Sequence, residues 1–148
     1  MKQLLQSLVG GVFALAVVFA SSRSEAAQVR LTLGADYHFD RGALFELMGS
    51  VDFHIAGPLS LGPRIGLAAV TRENGVALPL DLDLRLSPRG APVYLDVLLG
   101  PWIFFQGDTL RAHAALGFGY QGRSFGIGLE VGYLEPAPLL GLRVGWRF

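Results

Sequence analysis

The sequence has no cysteine. That excludes disulfide staples and thiolate metal centres, and it suits an exported protein that needs no oxidative folding. Charge is sparse: 16% of the 148 residues are charged, and the formal net charge is zero. No basic face marks the chain for nucleic acid. It also lacks an apolar run of the roughly 20 residues that a membrane-spanning helix needs. The longest such run, Leu8 to Ala20, falls short of that. No later segment has helical period, and no linker divides the chain. What it has in quantity is apolar side chains, at 51%, together with 20 glycines. That is too apolar for a disordered chain, and the length suggests one domain.

The start of the chain has the layout of a secretory signal peptide. Lys2 is followed by the apolar run, and small residues follow at Ala20, Ala26 and Ala27. Cleavage after Ala20 or Ala26 satisfies the small-residue rule. We place it after Ala26, dividing the chain into a leader over residues 1–26 and a mature domain over residues 27–148.

From Val29 onward the apolar period is two. Val29, Leu31, Leu33, Ala35 and Tyr37 alternate with Arg30, Thr32, Gly34, Asp36 and His38. Strict alternation marks a strand with one apolar and one polar face. The pattern recurs in eight runs of about 10 to 12 residues, the length of a tilted strand crossing a bilayer. Reversal residues separate them, among them Asp40-Arg41-Gly42, Ala56-Gly57-Pro58, Ser87-Pro88-Arg89-Gly90 and Glu135-Pro136-Ala137-Pro138. Short links imply antiparallel neighbours. The expected fold is all-β: an eight-stranded antiparallel up-and-down transmembrane β-barrel, preceded by a cleaved signal peptide. Pro63, Pro79 and Pro101 fall inside the runs and are expected near strand ends or bulges, since proline cannot donate to the ladder. Leu98, Trp102 and Phe104 share the polar parity of the fifth run, so a bulge near Gly100-Pro101 is expected to reset it.

Charge placement assigns the faces. Arg30, Asp36, Glu46, Asp52, Arg64, Asp81, Asp83, Arg85, Asp96, Arg111, Glu130 and Arg143 all lie on the polar parity. The other face carries no charge, which fits lipid, where Arg or Lys at midplane costs about 2–4 kcal/mol. Inside a barrel this narrow, acids and bases must pair. These twelve residues are expected to form an interior ion-pair network, with inward glycines clearing space for arginine. His38, His54 and His113 share the inward parity. Aromatics at strand ends, such as Tyr37, Phe39, Tyr120, Phe125 and Trp146, fit interfacial girdles.

The chain ends Gly141-Leu142-Arg143-Val144-Gly145-Trp146-Arg147-Phe148. This resembles the last strand of a bacterial outer-membrane protein, with alternating hydrophobics and a terminal phenylalanine. The resemblance makes Leu142, Val144, Trp146 and Phe148 an assembly signal read by the barrel-assembly machinery. The whole mature chain resembles the small eight-stranded outer-membrane barrels of the OmpA and OmpX type. It implies export through the periplasm, residence in the outer membrane among its lipid and lipopolysaccharide, and a monomer. Those barrels carry long extracellular loops. Every connection here is short, so loop-borne adhesion is not expected.

Catalytic and metal patterns do not emerge. No histidine has a serine two residues away, as the lipid-A deacylase type of outer-membrane hydrolase would have. Asp81 and Asp83, with Arg85 beyond them, read as an ion-pair network rather than an acid/base pair. The histidines lack ligand spacing, so no cofactor or metal is expected. The function expected is a non-catalytic structural or interaction role with a plugged interior. A lipid-modifying enzyme and a narrow channel for small solutes remain the alternatives.

If Phe148 carries the assembly signal, deleting it lowers the amount of heat-modifiable barrel in the outer membrane and leaves unassembled chain in the periplasm. Unchanged abundance on unheated gels would reduce Phe148 to an ordinary lipid-facing side chain.

Overall fold

The structure is a computed structural model that describes residues 27–72, 74–107 and 109–148. The leader assigned to residues 1–26 lies outside the described residues. Eight strands follow one another: β1 (Ala27–His38), β2 (Gly42–Ala56), β3 (Leu59–Val70), β4 (Gly75–Leu86), β5 (Val93–Phe104), β6 (Leu110–Gln121), β7 (Phe125–Leu134) and β8 (Ala137–Arg147). Each pairs antiparallel with the next. β1 closes on β8 from Arg30↔Arg147 to His38↔Leu139, making a closed barrel. Closure leaves no strand edge with unpaired backbone groups, the condition for a sheet to sit in lipid.

Alternation translates directly into two surfaces. Leu33, Leu47, Leu82, Leu99, Leu116, Val131 and Leu142 are exposed on the outside. Arg30, Asp36, Glu46, Arg64, Asp83 and Arg143 are buried inside. The turns fall where the reversal residues sit, and Gly42, Gly57, Gly90 and Gly107 supply the positive φ those turns need.

The prolines correct the expectation. Pro63, Pro79 and Pro101 lie within β3, β4 and β5, away from strand ends and without a register shift. An antiparallel residue aims its N–H at one neighbour only, so each proline opens one ladder. Pro63 leaves a gap in β2–β3 between Ser50↔Arg64 and Phe53↔Leu61. Pro79 leaves one in β3–β4 between Ile65↔Leu80 and Ala68↔Ala77. Pro101 leaves one in β4–β5 between Pro79↔Trp102 and Leu82↔Leu99. The opposite side of each stays paired, as Pro63↔Leu82, Pro79↔Trp102 and Pro101↔Ala112. Glycine keeps the strands close at two of the gaps: a Cβ on Gly62 or Gly100 would run into the carbonyl of Val51 or Leu80.

The expected bulge at Gly100-Pro101 is absent as well. β5 pairs with β6 without interruption, and Leu98, Trp102 and Phe104 point inward, almost fully buried. The register shift lies instead between His54 and Ala56 on β2. His54 keeps the inward parity, paired with Ser60 just before the shift, but stands exposed at the open mouth of the barrel and outside the buried interior.

Inward glycines give the arginines their space. A Cβ on Gly141 would overlap the Asp36 carboxylate, and one on Gly34 would sit 2.6 Å from Nη1 of Arg143. Gly141→Val is therefore expected to sharply lower the urea midpoint of the folded barrel. Leu140→Val, on the lipid face of the same strand, should leave it nearly unchanged.

Candidate functional site

The barrel interior holds every charged residue singled out by the alternation, and they fall into tiers along the axis. The middle tier centres on Arg143 of β8. Its guanidinium grips Asp36 of β1 as a fork, with Nη1 on Oδ1 and Nη2 3.0 Å from Oδ2. The same group reaches Glu130 of β7 at 2.8 Å and Glu46 of β2 at 3.4 Å. Arg64 of β3 approaches the same two glutamates from the other side, Glu130 at 3.1 Å and Glu46 at 3.4 Å. Asp81 of β4 takes His113 Nδ1 of β6 at 2.8 Å, and His113 Nε2 lies 3.7 Å from Glu130. Four carboxylates from four strands thus converge on two arginines and a histidine.

The second tier lies toward the end that carries Ala27 and Phe148. Arg30 of β1 bonds Asp52 at 3.2 Å, Asp83 at 2.5 Å and Ser50 Oγ at 3.1 Å, with Asp96 at 3.7 Å. Arg85 of β4 holds Asp96 of β5 with two parallel bonds, 2.6 and 2.5 Å. It also donates to Gln121 at 2.8 Å and lies 4.1 Å above the Tyr94 ring. Paired forks of this kind are the strong charge-assisted hydrogen bonds.

The third tier is apolar, and the sequence reading missed it. Leu44, Ala68, Val70, Ala77, Trp102, Phe104, Leu134 and Leu139 form one buried cluster at the opposite end. Arg41 and Arg111 lie against it, 4.8 and 5.4 Å from the Phe104 centroid. Arg111 thus sits apart from the carboxylate tiers, where it donates to the Glu135 carbonyl at 2.7 Å. His38 ties this end together. Its Nδ1 accepts from the Arg41 amide at 3.0 Å, so Nε2 carries the proton and donates to the Leu134 carbonyl at 2.7 Å. The signal was in the parity, since these apolar residues share the inward positions of the charged ones.

Little free space remains. A cavity of about 30 Å³ between Arg30, Arg64, Asp83, Tyr94 and Glu130 has room for a water or two. Beyond it, at the chain-termini end, a cup of about 490 Å³ opens outward among Gln28, Asp52, His54, Ser60 and Arg147. The lumen is a cup closed by the apolar tier. His113 is fully buried between Asp81 and the Trp102 ring, 5.1 Å centroid to centroid. Among the described residues, no three His, Asp or Glu side chains are arranged to hold a metal ion.

A closed eight-stranded antiparallel sheet, uncharged on its outside and charged within, is a transmembrane β-barrel. Solved structures agree on the fold. A de novo designed transmembrane β-barrel superposes with a TM-score of 0.62 at 14% identity, over 82% of this chain and 95% of that one. The N-terminal β-barrel domain of Pseudomonas aeruginosa OprF gives 0.60 at 18% identity, over 82% and 97%. The designed barrel TMB2.3 gives 0.59 at 14% identity, over 83% and 95%. No protein-family model matches the chain, and no curated protein matches its sequence.

Arg143 holds three carboxylates; Arg143→Leu leaves Asp36 without its cation and leaves Glu46 and Glu130 to Arg64. Breaking one partner of a buried pair costs about 3–5 kcal/mol. Arg143→Leu should therefore destabilise the barrel by at least that much in urea titrations, and Leu142→Ala, which only thins a lipid-facing surface, by far less.

Proposed function

We propose that this chain is a small integral protein of a bacterial outer membrane, exported by its leader, with a sealed interior and a structural or interaction role rather than a catalytic one. The observation that carries this reading is the interior itself. Arginine–carboxylate tiers fill it, and an apolar layer closes one end. Chemistry needs an accessible nucleophile and base. Here the buried His113–Asp81 pair lies behind other side chains, and His38 is committed to two backbone groups. A channel needs a continuous water path, and a cavity of about 30 Å³ does not provide one. The partners are then outer-membrane lipid and lipopolysaccharide, with the barrel-assembly machinery during biogenesis, and the protein acts as a monomer. The even strand number puts both ends of the barrel on one side, which we assign to the periplasm. The connection bearing Asn74 then faces outward.

Three measurements test this. Cysteine placed at Asn74 should label on intact cells, and cysteine placed at Gly90 should not; the reverse pattern overturns the orientation. In planar bilayers the purified protein should show no conductance steps, and neither should Trp102→Ala with Phe104→Ala, because the arginine–carboxylate tiers still fill the lumen. Steps from the unaltered protein would favour the channel reading. An altered lipid A mass in expressing cells would favour the enzyme.

A further inference from the structure

Among the described residues, the exposed acids lie at one rim and most of the exposed arginines at the other. At the rim formed by the β1–β2, β3–β4, β5–β6 and β7–β8 connections, the exposed acids among the described residues are Asp40 and Glu135. The exposed arginine there, Arg72, donates to the Asp40 carbonyl at 3.1 Å. At the rim that carries Ala27 and Phe148, Arg89 and Arg123 are exposed and Arg147 is half-buried. Among the described residues no exposed acidic side chain accompanies them, because Asp52 is turned into the lumen.

This basic rim is also shaped. The β6–β7 turn carrying Arg123 is tied down by four bonds. The Gly122 amide donates to the Phe125 carbonyl at 2.7 Å and the Arg147 amide to the Ser124 carbonyl at 2.9 Å. The Arg147 guanidinium donates to the carbonyls of Gly122 and Arg123. Arg147 is thereby committed to backbone, while the Arg123 side chain stays exposed. Beside the turn, on the lipid face of three neighbouring strands, stand Tyr120, Phe125 and Trp146, each 36–53% exposed. Phe125 and Trp146 are register partners with rings edge to face at 6.2 Å. Arg89 lies on the adjoining β4–β5 connection, which Gln121 holds through its amide bond to the Pro92 carbonyl at 2.8 Å.

We propose that this arc, from β5 to β8, binds the phosphate of an anionic glycerophospholipid in the leaflet it faces. Arg123 takes the phosphate and Arg89 adds a second positive charge. Tyr120, Phe125 and Trp146 pack against the glycerol and the upper acyl chain, at the level where amphipathic rings settle. A zwitterionic lipid offers the same phosphate but carries its own cation beside it, so the unopposed arginines favour the anionic one. The site rests on the bilayer embedding proposed above.

The two tryptophans make it testable. Trp146 faces lipid and Trp102 is fully buried in the apolar tier, so short-range quenching by lipid reports on Trp146. The full mature chain is folded into phosphatidylcholine vesicles containing increasing fractions of chain-brominated phosphatidylcholine or chain-brominated phosphatidylglycerol, at low salt. Half-quenching should need several-fold less of the glycerol lipid, on the order of fivefold. The preference should vanish in Arg89→Gln/Arg123→Gln and shrink at high salt, as screened surface charge does. Identical curves for the two lipids, or a preference that survives in the double variant, would overturn the site and leave the membrane reading intact. Failure of the unaltered protein to give heat-modifiable barrel in either vesicle would overturn both.

Discussion

Arg143 is bonded to Asp36 while its charge is shared with Glu46 and Glu130, and the rest of the interior is arranged around that sharing. An ion taken out of water into a narrow barrel is tolerable only if opposite charge and hydrogen bonds replace its hydration. Eight strands enclose just enough room for side chains, so the arginines of the two ionic tiers meet carboxylates from adjacent and facing strands. Arg143 joins β8 to β1, β2 and β7, and Arg30 joins β1 to β2, β4 and β5. Backbone ladders hold neighbouring strands. Some of the ion pairs also hold strands that are not neighbours, β8 to β2 through Glu46 and β1 to β4 and β5 through Arg30, and so help fix the cross-section of the barrel. Gly34 and Gly141 belong to the same device, because a side chain at either position would displace the fork it surrounds.

The interior changes character along its axis. Toward the chain termini it is ionic and opens into a cup, while at the other end it is apolar and closed. The two zones respond to different physics. Buried ion pairs depend on complete partnership, and losing one member is costly. The apolar tier depends on packing, where removing Trp102 or Phe104 leaves a void costing about 3–5 kcal/mol. His113 stands at the boundary, bonded to Asp81 on one side and packed on Trp102 on the other.

Most of the architecture was legible because the side-chain period of a strand is fixed at two. Strand number, order, turns and the inward placement of the charged residues all follow from parity. Partner identity within the interior was less accessible. That Asp81 meets His113 while Asp96 meets Arg85 depends on stagger between strands, and no strand read alone contains it. Leu98, Trp102 and Phe104 misled because apolar residues at inward positions look like a parity error, when they form a layer. The prolines misled because the rule against them counts lost donors per strand. The structure opens a short gap in the ladder on one side of each proline and keeps the other side paired. His54 follows the inward parity up to a bulge at the end of β2, which periodicity does not mark.

Closure of β1 on β8 brings Arg30 to Arg147, residues from opposite ends of the barrel sequence. Every other strand pair is a local hairpin that can form as soon as its two strands exist. The closing seam is the most distant contact, with the largest loop-closure entropy, and it cannot form until the last strand has been made. Until then β1 presents a bare edge able to pair with another chain. The protein must therefore be kept from self-association for the whole interval between synthesis of its first strand and arrival of its last. Sealing that seam turns an aggregation-prone ribbon into an edgeless cylinder in a single step.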